Sequence, residues 1–179
     1  MLTGFPNVEE MLTNYAKYVV QQAKSNLAKD GKGSGPLYES VKYILETDPD
    51  AFLLDFLMED YGIYVDEGVR GANPSLIKNG IQKAPKSKFS YKNKMPPMQI
   101  LADWAKSKNI RFRNAKGQYA KGSNISMGFV LQKSIFAQGL KPNYFFTKPF
   151  YKGLKTLNPD LASSFALDIE NAIILGTKN

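Results

Sequence analysis

Apolar residues recur at helical spacing from the start of the chain. Over residues 8–29, "VEEMLTNYAKYVVQQAKSNLAK", the positions Val8, Leu12, Tyr15, Val19, Ala23 and Leu27 share one face. Asn7 stands where an N-cap belongs, and Glu9 and Glu10 suit the first turn of a helix. The glycine-rich "DGKGSG" at 30–35 ends the pattern. The period then drops to two. "SVKYILET" (40–47) and "AFLLDFLM" (51–58) flank "DPD", which predicts a β-hairpin. Val41, Tyr43 and Leu45 share one face of the first strand, and Phe52, Leu54, Phe56 and Met58 one face of the second. Leu53, Asp55 and Leu57 take the opposite face, so the second strand is expected to be buried on both sides.

The next segment, "MEDYGIYVDEGVRG" (58–71), reads as a turn or two of helix closed by Gly68. Tyr61, Tyr64 and Val65 are expected to pack inward, with Asp66 and Glu67 facing out. Residues 70–95 combine glycine, proline and asparagine with seven basic residues, and predict an extended basic loop or arm over 72–95. "PPMQILADWAKSKN" (96–109) predicts a helix begun by proline, with Ile100, Leu101 and Trp104 on its apolar face. A second basic connector spans 110–124, with a turn at "NAKGQ". Residues 125–139 predict a helix with Met127, Val130, Leu131 and Ile135 on one face and Gly139 as terminator. "LKPNYFFTKPF" (140–150) reads as extended. Residues 160–175 read as a C-terminal helix with Leu161, Phe165, Ile169 and Ala172 as its stripe and Gly176 at its end. This order predicts an α+β fold. A small, mainly antiparallel sheet is packed by N-terminal, middle and C-terminal helices, in a single domain over 1–179 that carries a long basic arm or loop.

Composition removes much chemistry. The 179 residues include no cysteine and no histidine, so disulfides, thiolate metal sites, cysteine nucleophiles and the commonest general base are excluded. Ser34, Ser40 and Thr147 therefore have no histidine to activate them. "DGKGSG" follows a helix and lacks the spacing of a phosphate-binding loop. Glu59, Asp60, Asp66 and Glu67 lie in adjacent pairs, and neighbouring side chains point apart, so a facing catalytic pair or a calcium loop is not expected. No catalytic, cofactor-binding or metal-binding residue is assigned, and the expectation is a protein that is not an enzyme. No apolar run reaches the roughly 18 residues of a membrane span. No basic flank at the N-terminus marks a secretory signal. A soluble protein acting in the compartment where it is made is expected.

Charge changes the picture further. The net charge is +8, but residues 1–69 carry five basic and twelve acidic residues. Residues 70–122 carry thirteen basic residues and only Asp103 as an acid. One reading is that the basic part faces nucleic-acid phosphates without sequence-specific readout. Arg70, Lys86, Lys88, Lys92, Lys94, Arg111, Arg113, Lys116 and Lys121 would then act beside Phe89, Tyr91, Phe112 and Tyr119 as stacking groups, unless those rings are core. Another is that the acidic surface of one copy meets the basic surface of the next, as in a head-to-tail ring. The third is a solvated loop kept soluble by lysine.

Four segments in order carry a family resemblance: "SGPLYESVKY" (34–43), "FLMEDYGIYVDEGVRG" (56–71), "PPMQILADWAKSKNIRFRN" (96–114) and "SMGFVLQKSIFAQGLKPNYFFTKPF" (126–150). Together they resemble the phage head–tail joining and tail-completion, or neck, proteins. The long basic arm departs from that family's shorter members. The resemblance implies a non-enzymatic ring subunit in the neck or tail region of a virion, made in the host cytoplasm and needing no cofactor. Its implied partners are copies of itself, a portal or adaptor protein on one side and tail proteins on the other. The channel DNA is left open as a further partner, and no membrane is involved. On this basis Asp66, Glu67, Arg70, Lys86, Lys88, Lys92 and Lys94 are expected at a subunit interface, with Asp66 and Glu67 against a basic surface of the neighbour. Arg111, Arg113, Lys116 and Lys121 are the candidates to face DNA.

Overall fold

The computed structural model describes residues 4–48 and 51–177, with side chains through Ile174. The fold is α+β, as expected. The chain groups into two compact units. Residues 1–62 and 144–179 form unit 1, and residues 63–143 form unit 2.

Unit 1 is built on α1, Pro6–Lys29, which buries Val8, Tyr15, Ala16, Val19, Ala23 and Leu27. The predicted stripe is thus largely the observed one. The predicted cap is not. Pro6 opens the helix after Phe5, and Asn7 already lies within the first turn. A short helix, α2 (Pro36–Ser40), occupies the place where strand was expected to begin. β1 (Lys42–Asp48) and β2 (Ala51–Leu57) follow as an antiparallel pair, with Tyr43 opposite Phe56 and Leu45 opposite Leu54. Pro49 and Asp50 of the predicted "DPD" turn lie outside the described residues.

The inner hairpin face meets a cluster of rings. Phe56 packs edge-on to Tyr15, Phe146 and Phe150 at centroid distances of 6.1, 5.3 and 5.9 Å. The outer face remains open. Ile44, Leu53 and Leu57 are 43, 52 and 37% exposed, so the expectation that β2 is buried on both sides is wrong. A two-stranded sheet covered on one face has nothing to shield the other.

The C-terminal helix is far longer than its sequence pattern suggests. α6 runs from Thr147 to Thr177, straight through Pro159, and takes in part of the segment expected to be extended. Proline would ordinarily end or kink a helix. Here the turns before it are held against α1: Tyr15 donates its hydroxyl to the Phe150 carbonyl at 3.2 Å, and Gly153 lets the Tyr15 and Tyr18 rings lie directly on the helix. Gly176 lies inside α6 and does not end it. The predicted stripe is also displaced, since Phe165 and Ile169 are 47 and 39% exposed while Asp168 is buried.

Unit 2 contains the rest of α3 (Gly62–Glu67), β3 (Val69–Arg70), α4 (Met98–Ser107), α5 (Asn124–Gln138) and β4 (Gly139–Leu140). β3 and β4 form a small antiparallel pair, with Arg70 opposite Gly139. α4 and α5 pack together through small residues. A Cβ at Gly128 would lie 2.8 Å from Ala102 Cβ, and Ala102 and Ala105 are the buried positions of α4. This close approach turns the predicted apolar face of α4 aside: Ile100 and Trp104 are 65 and 47% exposed, and only Leu101 is partly covered. Val130 of α5 is likewise exposed.

Candidate functional site

The predicted interface acids are not a pair of surface charges. Asp66 is buried, at 4% exposure, and cannot present itself to a neighbour. α3 has only two turns, so the elements packed on it decide its inner face, and that face takes Asp66 while Tyr61 and Tyr64 stay 44 and 43% exposed. Glu67 does meet a base, but within its own chain. Lys88 Nζ lies 2.9 Å from Glu67 Oε1.

The predicted arm over 72–95 is a loop folded back on β3. Phe89 and Tyr91 bracket Arg70 with backbone hydrogen bonds: Arg70 N–H donates to the Phe89 carbonyl at 2.8 Å, and Tyr91 N–H donates to the Arg70 carbonyl at 2.9 Å. Gln82 makes a two-way bond to the backbone of Gly71, and Ser87 donates to the Gly68 carbonyl at 2.7 Å. Lys83 N–H reaches the Gln138 carbonyl at 2.8 Å. Arg70, Lys86, Lys88, Lys92 and Lys94 are all exposed along this tethered path.

Nor are the loop's rings free to stack. Phe89 lies edge-on to Tyr64 at 4.7 Å, and Tyr91 lies 6.0 Å from Phe136. Burial pushes the Tyr91 hydroxyl pKa up.

The second basic connector forms a compact ribbon. Arg113 pairs with Tyr119 in an antiparallel bridge, and Ala120 N–H donates to the Phe112 carbonyl at 2.9 Å. Asn114 organises the turn. Its side-chain oxygen accepts from the backbone N–H of Lys116 at 2.9 Å and of Gln118 at 3.0 Å, and Gly117 takes φ +79°. Alternation places Arg111 and Arg113 together and turns Phe112 back against Gly122.

The two guanidinium groups lie over the Tyr119 ring, 5.6 Å (Arg111) and 4.6 Å (Arg113) from its centroid. Arg113 also donates to the Gly117 carbonyl at 2.8 Å, and Arg111 Nε to Asn109 Oδ1 at 2.8 Å. Arg111, Arg113, Lys116 and Lys121 are all exposed. The four candidate DNA-facing residues are thus carried on one segment, and two of them are held in a fixed arrangement. Tyr119, expected as either a stacking group or a core ring, is a platform for the arginines, a role not assigned from the sequence. The signal lay in the Arg-x-Arg alternation and the turn register that sets Tyr119 opposite Arg113.

One functional-looking polar group was missed altogether. Asp168 of α6 accepts hydrogen bonds from Asn7 N–H (3.1 Å), Asn7 Nδ2–H (2.6 Å) and Val8 N–H (3.0 Å), and so caps α1 from a distant part of the chain. Burial by itself would raise its pKa, but these three donors outweigh burial and hold the carboxyl below its ordinary value. Its role is structural.

A groove of about 610 Å³ runs along α1 and α6 in unit 1, lined by Glu10, Asn14, Tyr18, Lys152 and Asp160 among others. Among the described residues no group of three or more acids could hold a metal ion, and no helix is long and apolar enough to cross a membrane. Compared with family models, curated proteins and solved structures, the chain gives no significant match.

Proposed function

We propose that this protein is a structural ring subunit, of the kind that joins a phage portal to its tail, binding copies of itself and neighbouring virion proteins rather than turning over a substrate. The open hairpin is the observation that carries this reading. Its outer face combines Ile44, Leu53 and Leu57 with Glu46 and Asp55, and among the described residues the sheet has only two strands, so each leaves an edge unpaired there. An exposed apolar face beside free strand edges is an ordinary feature of an interaction surface and a liability in a monomer.

Charge favours a second copy as the occupant. Unit 1 carries nine basic and thirteen acidic residues, net −4; unit 2 carries fifteen basic and three acidic residues, net +12. The acid-edged hairpin of one subunit is therefore complementary to the basic unit of the next, which is a heterologous contact able to close a ring. The resemblance to neck proteins supports the same reading and adds the portal or adaptor and the tail proteins as outer partners.

Native mass spectrometry and negative-stain microscopy of the recombinant chain test it, with L53K/L57K as the comparison. Closed oligomers that dissociate in the variant, with unchanged circular dichroism, are expected. A chain that stays monomeric, or rings indifferent to the substitutions, overturn the reading. So does the absence of its peptides from purified virions.

A further inference from the structure

We infer that the ribbon of residues 109–122 is a binding site for the phosphate backbone of duplex nucleic acid, independent of base sequence. Four observations carry this. First, Arg111, Arg113, Lys116 and Lys121 are all exposed, and the chain has no acidic residue between Asp103 and Asp160 to neutralise them locally. Second, the arginines are pre-organised. Arg113 spends one N–H on the Gly117 carbonyl and reaches Tyr119 Oη at 3.4 Å, while Arg111 spends its Nε–H on Asn109. Each guanidinium has five N–H donors, so most remain for phosphate oxygens, while Tyr119 fixes both groups in place.

Third, the Asn114 amide of the turn is already used. The Asn114 side-chain oxygen accepts two backbone N–H groups, and its amide donates to Gln118 Oε1 at 3.2 Å. Asn and Gln amides are the usual readers of adenine, and arginine that of guanine; Asn114 is engaged, and Arg111 and Arg113 are held over Tyr119 with a donor each already bonded, which leaves their charge for phosphates. Fourth, the two rings of the ribbon are already engaged within it: the Tyr119 ring carries the guanidinium groups and Phe112 lies against Gly122. A single strand is held largely by stacking of its bases on rings, whereas a duplex offers regularly spaced phosphates.

This inference does not rest on the ring reading. Binding to the unassembled chain stands or falls by itself.

Fluorescence anisotropy with a random-sequence duplex and an oligothymidine of matched length, over a salt series, tests it. The wild-type chain should prefer the duplex, with affinity unchanged by scrambling its sequence. R111Q/R113Q/K116Q/K121Q should lower the slope of log affinity against log salt by up to about 3.6, the value for four lost duplex phosphate contacts. Y119A keeps all four charges, and should weaken binding while leaving that slope nearly intact. K17Q/K29Q/K32Q, three exposed lysines of unit 1, should leave the slope unchanged. An unchanged slope in the ribbon variant, or an equal loss per charge in the unit 1 variant, overturns the proposal. So does tighter binding of oligothymidine than of duplex, or binding confined to anionic phosphatidylserine vesicles.

Discussion

Replacing Asp168 with asparagine should destabilise unit 1 far more than its conservative chemistry suggests. The carboxylate meets three donors with two oxygens: Oδ1 takes both Asn7 donors and Oδ2 takes the Val8 N–H. Asparagine keeps one acceptor oxygen and places an NH₂ against at least one donor. A buried donor left unsatisfied costs about 1–3 kcal/mol. Removing the negative charge from the N-terminus of α1 adds about 0.3–1 kcal/mol. The sum is about 1.3–4 kcal/mol, or a fall in Tm of roughly 3–16 °C for a chain of this size.

The pH dependence has a definite sign. The folded carboxyl titrates below its ordinary value of 3.8, so its stabilisation is present in full above that value and is lost as pH falls through the folded pKa. Wild type and Asp168→Asn should therefore differ at neutral pH and converge in strong acid. Thermal melts followed by circular dichroism measure the gap at each pH, and hydrogen exchange should place the lost protection at the start of α1. A neutral-pH Tm within about 1 °C of wild type, or a gap that persists unchanged in strong acid, would refute the reasoning.

Three further outcomes follow from packing and burial. Gly128→Val drives methyl groups into Ala102 and the Met98 carbonyl and should cost about 1–3 kcal/mol in urea titrations; Ala102→Gly in the same chain should recover part of the loss. Gly139 takes φ +85° with ψ −174°, a region essentially open to glycine alone, and a Cβ there would collide with the Val69 carbonyl, so Gly139→Ala should cost more than the roughly 1–3 kcal/mol of backbone strain alone. Asp66→Lys buries a reversed charge and should abolish cooperative unfolding of unit 2, whereas Glu67→Lys should cost about 1 kcal/mol or less, since its partner Lys88 has a side chain 61% exposed. Equal stability of those two variants would show that Asp66 is not confined as described.

The parts legible in the sequence are those fixed by near neighbours. Helical spacing located α1 and its stripe because the 3.6 period repeats over six turns, and alternation located β1 and β2. Alternation cannot count the layers above and below a sheet, so it could not tell that Leu53 faces outward. Nor could the apolar pattern orient α4. It gives weight to Ile100 and Trp104, whereas close approach to Gly128 selects Ala102 and Ala105, residues that score as weakly apolar. The Asp168 cap spans 161 residues of sequence, and no local pattern announces it; an aspartate in a helical stripe reads as an interruption. The burial of Asp66, expected to face outward, escaped the sequence pattern for a related reason. In a six-residue helix, facing is set by what packs on it and not by its own period. The ribbon is the opposite case. Its turn, its arginine pair and the tyrosine beneath them contact one another within a single short segment. Its geometry is set largely within that segment, which is why the turn predicted at "NAKGQ" is present in the structure. For the same reason the four ribbon charges can be removed with little cost to the core, so a change in nucleic-acid binding can be attributed to the ribbon itself.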